Sequence, residues 1–529
     1  MKKIILRSSL LLCFCLFPIL IQCQAPTKRG EYFLKKTYDG HDIPVFTESK
    51  DKLPKPILED NNEWVGMYWK CWEIAFAHFK KPPENSPFVS NILDEAFNEN
   101  IFQWDMIFMV MFARYAHDVF PAINSLDNFY CRQHPSGYIC REISEKDGSD
   151  FVYEGRKNTV NPPLFSWAEV ESWKNTGDNS RFELVMPVLE KYVQWLEREG
   201  DLRTANDKEN WFLYGRCAKN SVHQLYWNTG LGSGMDNTPR GGNGWVDMSC
   251  QMVIQYNNLA VMSDVLGDHE KTRYFKDRAQ NIADRINTYC WDESDGLYYD
   301  VDSAGNPVKW KTAGCFWPLL AGVASKEQAR KLKDHLTDTS EFWRPDVFPT
   351  LAADQSLYHR DGGYWLGSVW PPTNYMIIKG LEKYGYEKLA TEATVRYLTS
   401  MKCVFDRTGT VWENYSPEYC SPGNPAKPDF VGWTGTGPVA LLIENVLGFR
   451  VDGAHNTLTW RISRTDTHGI ENLRVGDNHV TATCEHRAAK DDLLSISITT
   501  NKEFTLRIIK DDRLKEFIIT PGKHELTIE

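Results

Sequence analysis

Apolar residues recur at helical spacing from about residue 60 to residue 448. In "EWVGMYWKCWEIAFAHF", Trp64, Tyr68, Cys71, Trp72, Ala75 and Phe79 fall on one face, which predicts an amphipathic helix. The same period returns in "DMIFMVMFARYAHDVF", "RFELVMPVLEKYVQWLE", "QMVIQYNNLAVMSDVLG", "AQNIADRINTYC", "NYMIIKGLEKYG" and "PVALLIENVLGF". Glycine, proline and asparagine loops, some of them long, separate these stretches. Paired helices with long loops at one end are what an α/α toroid needs, with a site in its central funnel, although periodicity alone also allows an open helical solenoid. After Gly448 the period drops to two: Leu494, Ile496 and Ile498 alternate, then Phe504, Leu506 and Ile508, with a "TPG" turn before the last run. The expected architecture is mainly α, an (α/α)6 toroid over residues 61–448 with a small β-sandwich-like domain over 449–529. Residues 24–60, rich in lysine and proline, form a lead-in.

The first residues, "MKKIILRSSLLLCFCLFPILIQCQAP", have a basic start, an apolar run from Leu10 to Ile21 and a polar end, the pattern of an export signal over 1–23. Cys23 ends "LIQC" and is a candidate for lipidation, with Gln22 where a small residue is usual. Periplasmic or outer-surface localisation is expected, with membrane attachment through Cys23 left open. Beyond this segment no uninterrupted apolar run is long enough to span a bilayer.

Composition narrows the ligand. The chain of 529 residues carries 19 tryptophans, whose flat apolar faces suit sugar rings as well as cores. A net charge of -11 argues against a nucleic-acid or anionic-lipid surface, and points to a neutral or small ligand. Ten of the 13 cysteines lie beyond the signal, without CxxC or Cys/His clustering, so a zinc site is not expected. Cys131 and Cys140 flank "RQHPSGYI", a hairpin-like turn, and are a candidate disulfide, although buried free thiols are the commoner arrangement. "DESDGLYYDVD" at 292–302 misses the calcium-loop spacing and fits a hairpin with a DG turn. No metal and no cofactor is expected.

Aromatics beside acids and amides gather in five loops: "FQWDMIF" at 102–108, "GYICREI" at 137–143, "WNTGLGSGMDNTPR" at 227–240, "DGGYWLGSVWPPTNY" at 361–375 and "VWENYSPE" at 411–418. In this order and spacing the chain resembles the toroidal inverting glycosidases of glycoside hydrolase families 63 and 37, which include trehalases, processing α-glucosidases and mannosylglycerate hydrolases. The resemblance implies Asp236 as general acid and Glu413 as general base, and a Trp104–Asp105 pair that holds the sugar being cleaved. An inverting hydrolase needs two carboxyls roughly 6.5–9.5 Å apart, with water between one of them and the sugar, and a chain wrapped into a ring can bring distant acids together in this way.

Other readings compete at each residue. Asp236 with Asn237, Thr238 and Pro239 also makes a turn or helix cap. Glu418 is a rival base. Arg141 and Glu142 either pair with each other or read hydroxyls. Trp227, Trp317, Trp365, Trp370 and Trp433 are candidate funnel aromatics, and Asn237, Arg240, Asn374 and Tyr415 complete the candidate substrate-binding set. Where many relatives carry arginine in the "YWRGP" loop, this chain has Leu366 and Ser368, which favours a neutral glycoside. The expected function is cleavage of α-glycosidic, chiefly α-glucosidic, bonds in small neutral oligosaccharides. A non-catalytic surface glycan-binding lipoprotein and a toroidal phosphorylase or epimerase are the alternatives.

Overall fold

Two kinds of helix alternate along the computed structural model, which describes residues 31–94, 98–151, 160–197, 218–219, 222–228 and 230–529. The export signal and Cys23 lie outside the described residues. The first kind is buried nearly all round: Gln103–Ala113, Phe165–Thr176, Val246–Val265, Trp317–Ala321, Pro371–Lys383 and Gly437–Val446. The second buries one stripe only. His269–Tyr289 turns Thr272, Phe275, Ala279, Ile282, Ala283 and Ile286 inward, and Glu387–Thr408 does the same with Ala390, Ala393, Tyr397, Leu398, Met401 and Val404. A helix with apolar residues on every face belongs inside, and one with a single stripe belongs outside. Each buried helix packs against the next in chain order, and Gly437–Val446 returns to Gln103–Ala113, so the inner ring closes. The fold is therefore an α/α toroid, and closure rules out the open solenoid.

Toward the C-terminal ends of the inner helices, a buried carboxylate stitches three of them together. Glu444 accepts hydrogen bonds from Arg114 Nη2 (2.9 Å), the Tyr115 hydroxyl (2.7 Å) and Lys379 Nζ (2.7 Å). Burial opposes its charge, but the cations of Lys379, Arg114 and Arg450 outweigh that and hold its pKa far below the usual range.

Local details differ from the sequence pattern. The helix Glu63–Ala77 stops short of Phe79, which stays buried on a short strand, Phe79–Lys80, paired with Ile92–Leu93. "DESDGLYYDVD" does form a hairpin, Trp291–Asp292 against Leu297–Tyr298, with Asp292 Oδ1 accepting the turn amides of Ser294 (3.0 Å) and Asp295 (3.1 Å). Cys131 and Cys140 are not joined to each other: both are buried, the arrangement noted above as the commoner one, Cys131 donating to Asn128 O (3.3 Å) and Cys140 to Glu142 O (3.2 Å). Cys403 and Cys420 form the disulfide instead, joining the outer helix Glu387–Thr408 to the segment that carries Glu413.

The C-terminal residues form two sheets. One has four strands, in the order Phe449–Asp452, Thr457–Arg461, Phe504–Lys510, Arg513–Ile519. The other has five, and its edge strand Lys55–Leu58 comes from the lead-in, antiparallel to His468–Val475. The alternation holds: Leu494, Ile496, Ile498, Phe504, Leu506 and Ile508 are all buried.

Candidate active site

The N-terminal ends of the inner helices carry the aromatics. Trp104 opens Gln103–Ala113, Trp317 opens Trp317–Ala321, and Trp370 precedes Pro371–Lys383. Trp104 and Trp317 lie 6.3 Å apart between ring centroids. On the other side Trp365 stacks flat on Trp370 at 3.8 Å, and Trp370 meets Trp433 edge-on at 5.4 Å. Polar atoms remain among these rings: Trp104 Nε1, Trp365 Nε1 and Asp105 Oδ1 are buried and have no hydrogen-bond partner among the described residues.

Asp236 sits on the loop that follows the short turn Leu231–Ser233. Gly234 explains the glycines there. Its φ is +73°, and a Cβ would lie 2.8 Å from Trp104 Cε2, so only glycine lets this backbone pass beneath the indole. The loop keeps part of Asp236 open while protein crowds it from the sides. Burial is the largest influence on the carboxyl and lifts its pKa to about 7, against the lowering effects of the Arg141 charge and a hydrogen bond from Tyr364.

Glu413 is 5% exposed and held from three directions. Its Oε2 accepts Lys427 N (3.1 Å), its own N–H donates to Lys427 O (2.9 Å), and Trp433 Nε1 donates to its backbone carbonyl (2.8 Å). Burial again dominates and raises its pKa to about 7; the Lys427 amide lowers it and the charge of Asp236 raises it. Asp105 is pushed well above the carboxylate range by burial and by the charges of Glu413 and Asp236. Carboxyls from three distant segments thus share one electrostatic neighbourhood, with Arg141 and Glu142 beside it as an ion pair at 3.3 Å. Glu418 is elsewhere occupied: it accepts from Arg344 Nε (2.7 Å) and the Tyr358 hydroxyl (2.9 Å), and these bonds outweigh burial and leave its pKa lowered.

Four of the sequence candidates serve the scaffold. Arg240 is buried between Asp247 and Asp300, under Trp245, so its charge is neutralised. Asn374 spends both amide atoms on backbone, accepting Phe348 N (2.7 Å) and donating to Val347 O (2.7 Å). The Tyr415 hydroxyl accepts Trp412 N (3.0 Å). Trp227 is wholly buried on a strand paired with Ala218–Lys219. Asn237, though exposed, is bonded to the loop around residue 364. Sequence reasoning also passes over Tyr364, the Lys427 amide and Asn161, whose Oδ1 accepts Trp104 N (3.3 Å). Only Tyr364 carries a signal, its place inside a loop already singled out.

The model of the mannosylglycerate hydrolase MGH1-like glycoside hydrolase domain matches residues 98–430, which include every one of these groups except Trp433 and Glu444. The chain belongs to that family. Among relatives of this family member, an uncharacterized protein of Borreliella burgdorferi is 28% identical over 75% of this chain and 84% of its own. A periplasmic trehalase of Salmonella paratyphi B is 21% identical, covering 77% and 78%. Among solved structures, the family 63 mannosylglycerate hydrolase from Thermus thermophilus in complex with glucose superposes with a TM-score of 0.54 at 18% identity, over 71% of this chain and 99% of that one. The chain is thus a glycoside hydrolase, similar to family 63 and trehalase-type proteins, and its substrate is a carbohydrate.

Proposed function

We propose that the protein is an exported inverting α-glycosidase acting on small neutral glucosides, with Asp236 as general acid and Glu413 as general base. The observation that carries this reading is the pair of carboxyls, each raised to about 7, brought into one aromatic-walled site from loops far apart in the chain. At neutral pH such a pair holds close to one proton, which is the state an inverting reaction starts from. Glu413 takes a proton from water as its oxygen bonds to the anomeric carbon, and Asp236 gives its proton to the departing glycosidic oxygen as that bond breaks.

Two observations favour a neutral substrate: the loop 361–375 around Leu366 contains no lysine or arginine, and Arg240 and Arg141 already face acids. Export is supported by the basic-then-apolar first residues and by the periplasmic trehalases among the relatives. The disulfide Cys403–Cys420 suits an oxidising compartment. Purified protein offered a panel of α-linked disaccharides should release sugar from at least one glucoside, and Asp236→Asn should not. Release by Asp236→Asn at the wild-type rate would refute the assignment.

A further inference from the structure

We propose that the backbone amide of Lys427 positions the Glu413 carboxyl, occupying one of its oxygens and leaving the other to take the proton from water; this rests on the glycosidase reading above. Lys427 N donates to Glu413 Oε2 (3.1 Å), and in return Glu413 N donates to Lys427 O (2.9 Å). The base is thus tied to one residue through both its side chain and its main chain. Its Oε1 accepts no hydrogen bond among the described residues.

The segment that brings the amide there is suited to the task. In "GNPAKPDF", residues 423–430, prolines stand at 425 and 428. Proline has no N–H to offer, and a residue that precedes proline is pushed to extended backbone, so Lys427 is held extended in a stretch with few competing donors. That stretch runs antiparallel to the base's own, with Tyr415 bridged to Pro422 and Trp412 to Pro428. Gly423 N donates to Asn414 O (3.1 Å) and Asn414 Nδ2 to Pro425 O (3.1 Å), which pins the register at the residue next to Glu413. A Cβ at Gly423 would collide with Asn414 Oδ1, so only glycine allows this approach.

The bond has two consequences. An oxygen that already accepts an N–H is the poorer proton acceptor, so the proton from water goes to Oε1, which fixes the direction of transfer. A donor also favours the ionised carboxyl. Burial raises Glu413 most, and the Lys427 amide is the strongest influence against it; the charge of Asp236 raises it, that of Lys427 lowers it, and Asp105 and Tyr364 share the neighbourhood. Without the amide, more of the base is protonated and inactive at neutral pH.

The test removes the N–H alone. Full-length Lys427→Ala lacks the ammonium charge and keeps the amide; in a matched protein the 426–427 amide of that variant is an ester, introduced through a hydroxy acid. With 13Cδ-labelled glutamate, the Glu413 carbon signal is identified by its loss in Glu413→Gln. Its titration midpoint should lie about half a unit to one unit higher in the ester than in the amide protein. On whichever glucoside the panel identifies, kcat should fall about tenfold with KM little changed, and the acid limb should move up with the midpoint. Folded Lys427→Pro, which also deletes the N–H, should repeat both shifts. A midpoint and an acid limb that are the same in the ester and amide proteins would overturn the proposal. The carbon titration needs no substrate. A raised midpoint in a protein that cleaves no glycoside therefore supports the positioning role while refuting the glycosidase reading.

Discussion

Asp236 is a carboxyl whose neutral form the fold prefers, and this has a measurable thermodynamic sign. Its folded pKa, about 7, lies above the ordinary value of 3.8, so the preference contributes fully below about pH 4 and is lost as pH rises through 7. Asp236→Asn, which cannot ionise, should melt above the wild type at pH 8 by on the order of a few kcal/mol at most, the partial exposure of the site reducing that ceiling. The difference should vanish toward pH 4, and melting curves at the two pH values check it. In kinetics, Asp236→Asn and Glu413→Gln should each lower turnover by roughly 100-fold to 10,000-fold in folded protein. The wild-type profile should be a bell centred near neutrality, whose limbs belong to the pair. Proton NMR of fresh product should show the anomer opposite to the substrate's. Asp236 and Glu413, the acids proposed above, stand in loop motifs visible in the sequence, and in the structure each lies within electrostatic reach of the other. Arg240, Asn374 and Tyr415 read as substrate ligands because a sequence does not tell which way a loop side chain turns, and the structure gives all three backbone or ionic partners.

Among the elements, the segment carrying Glu413 has little regular structure of its own and is anchored from outside. Cys420 ties it to Cys403 on the outer helix, closing a loop with a sequence separation of 17. Cys403→Ser with Cys420→Ser should cost about 3 kcal/mol by loop-entropy reasoning, read as a lower denaturation midpoint, and should reduce kcat more than it raises KM because the base loses its anchor. The other anchor lies in the inner ring. Glu444→Ala removes the carboxylate that Arg114 and Lys379 share, leaving Arg114 with Glu171 and Lys379 with Glu382, and should destabilise by about 2–3 kcal/mol in urea unfolding. Helices are the most legible elements, since those with one apolar stripe announce their outer position, as in His269–Tyr289. Gly437–Val446 and Gln103–Ala113 are harder, because a helix buried on every face has no stripe to orient it. The disulfide has no sequence signal: its separation along the chain says nothing until the helix and the loop are folded against each other.

For the whole molecule, the division into a helical part and a strand part can be read from the change of period after Gly448, because helical and strand spacing are set by backbone geometry, whereas closure of the helices into a ring becomes visible only in their packing. The clasp between the ends cannot be read there either, since the lead-in strand "KPIL" is too short to declare a partner. Lys55–Leu58 caps an edge of the five-stranded sheet, with Lys55 Nζ reaching Glu471 Oε1 (3.1 Å). Removing residues 1–58 should uncover the edge of His468–Val475 and promote association, visible by light scattering at unchanged helical content. The same clasp imposes an order in time. Lys55 and Glu471 are 416 positions apart, so a ribosome adding about 5–20 residues per second completes this strand roughly 20–80 s before its partner exists. Throughout that interval Lys55–Leu58 waits unpaired while the ring is synthesised, and the five-stranded sheet gains this edge only once His468–Val475 has followed.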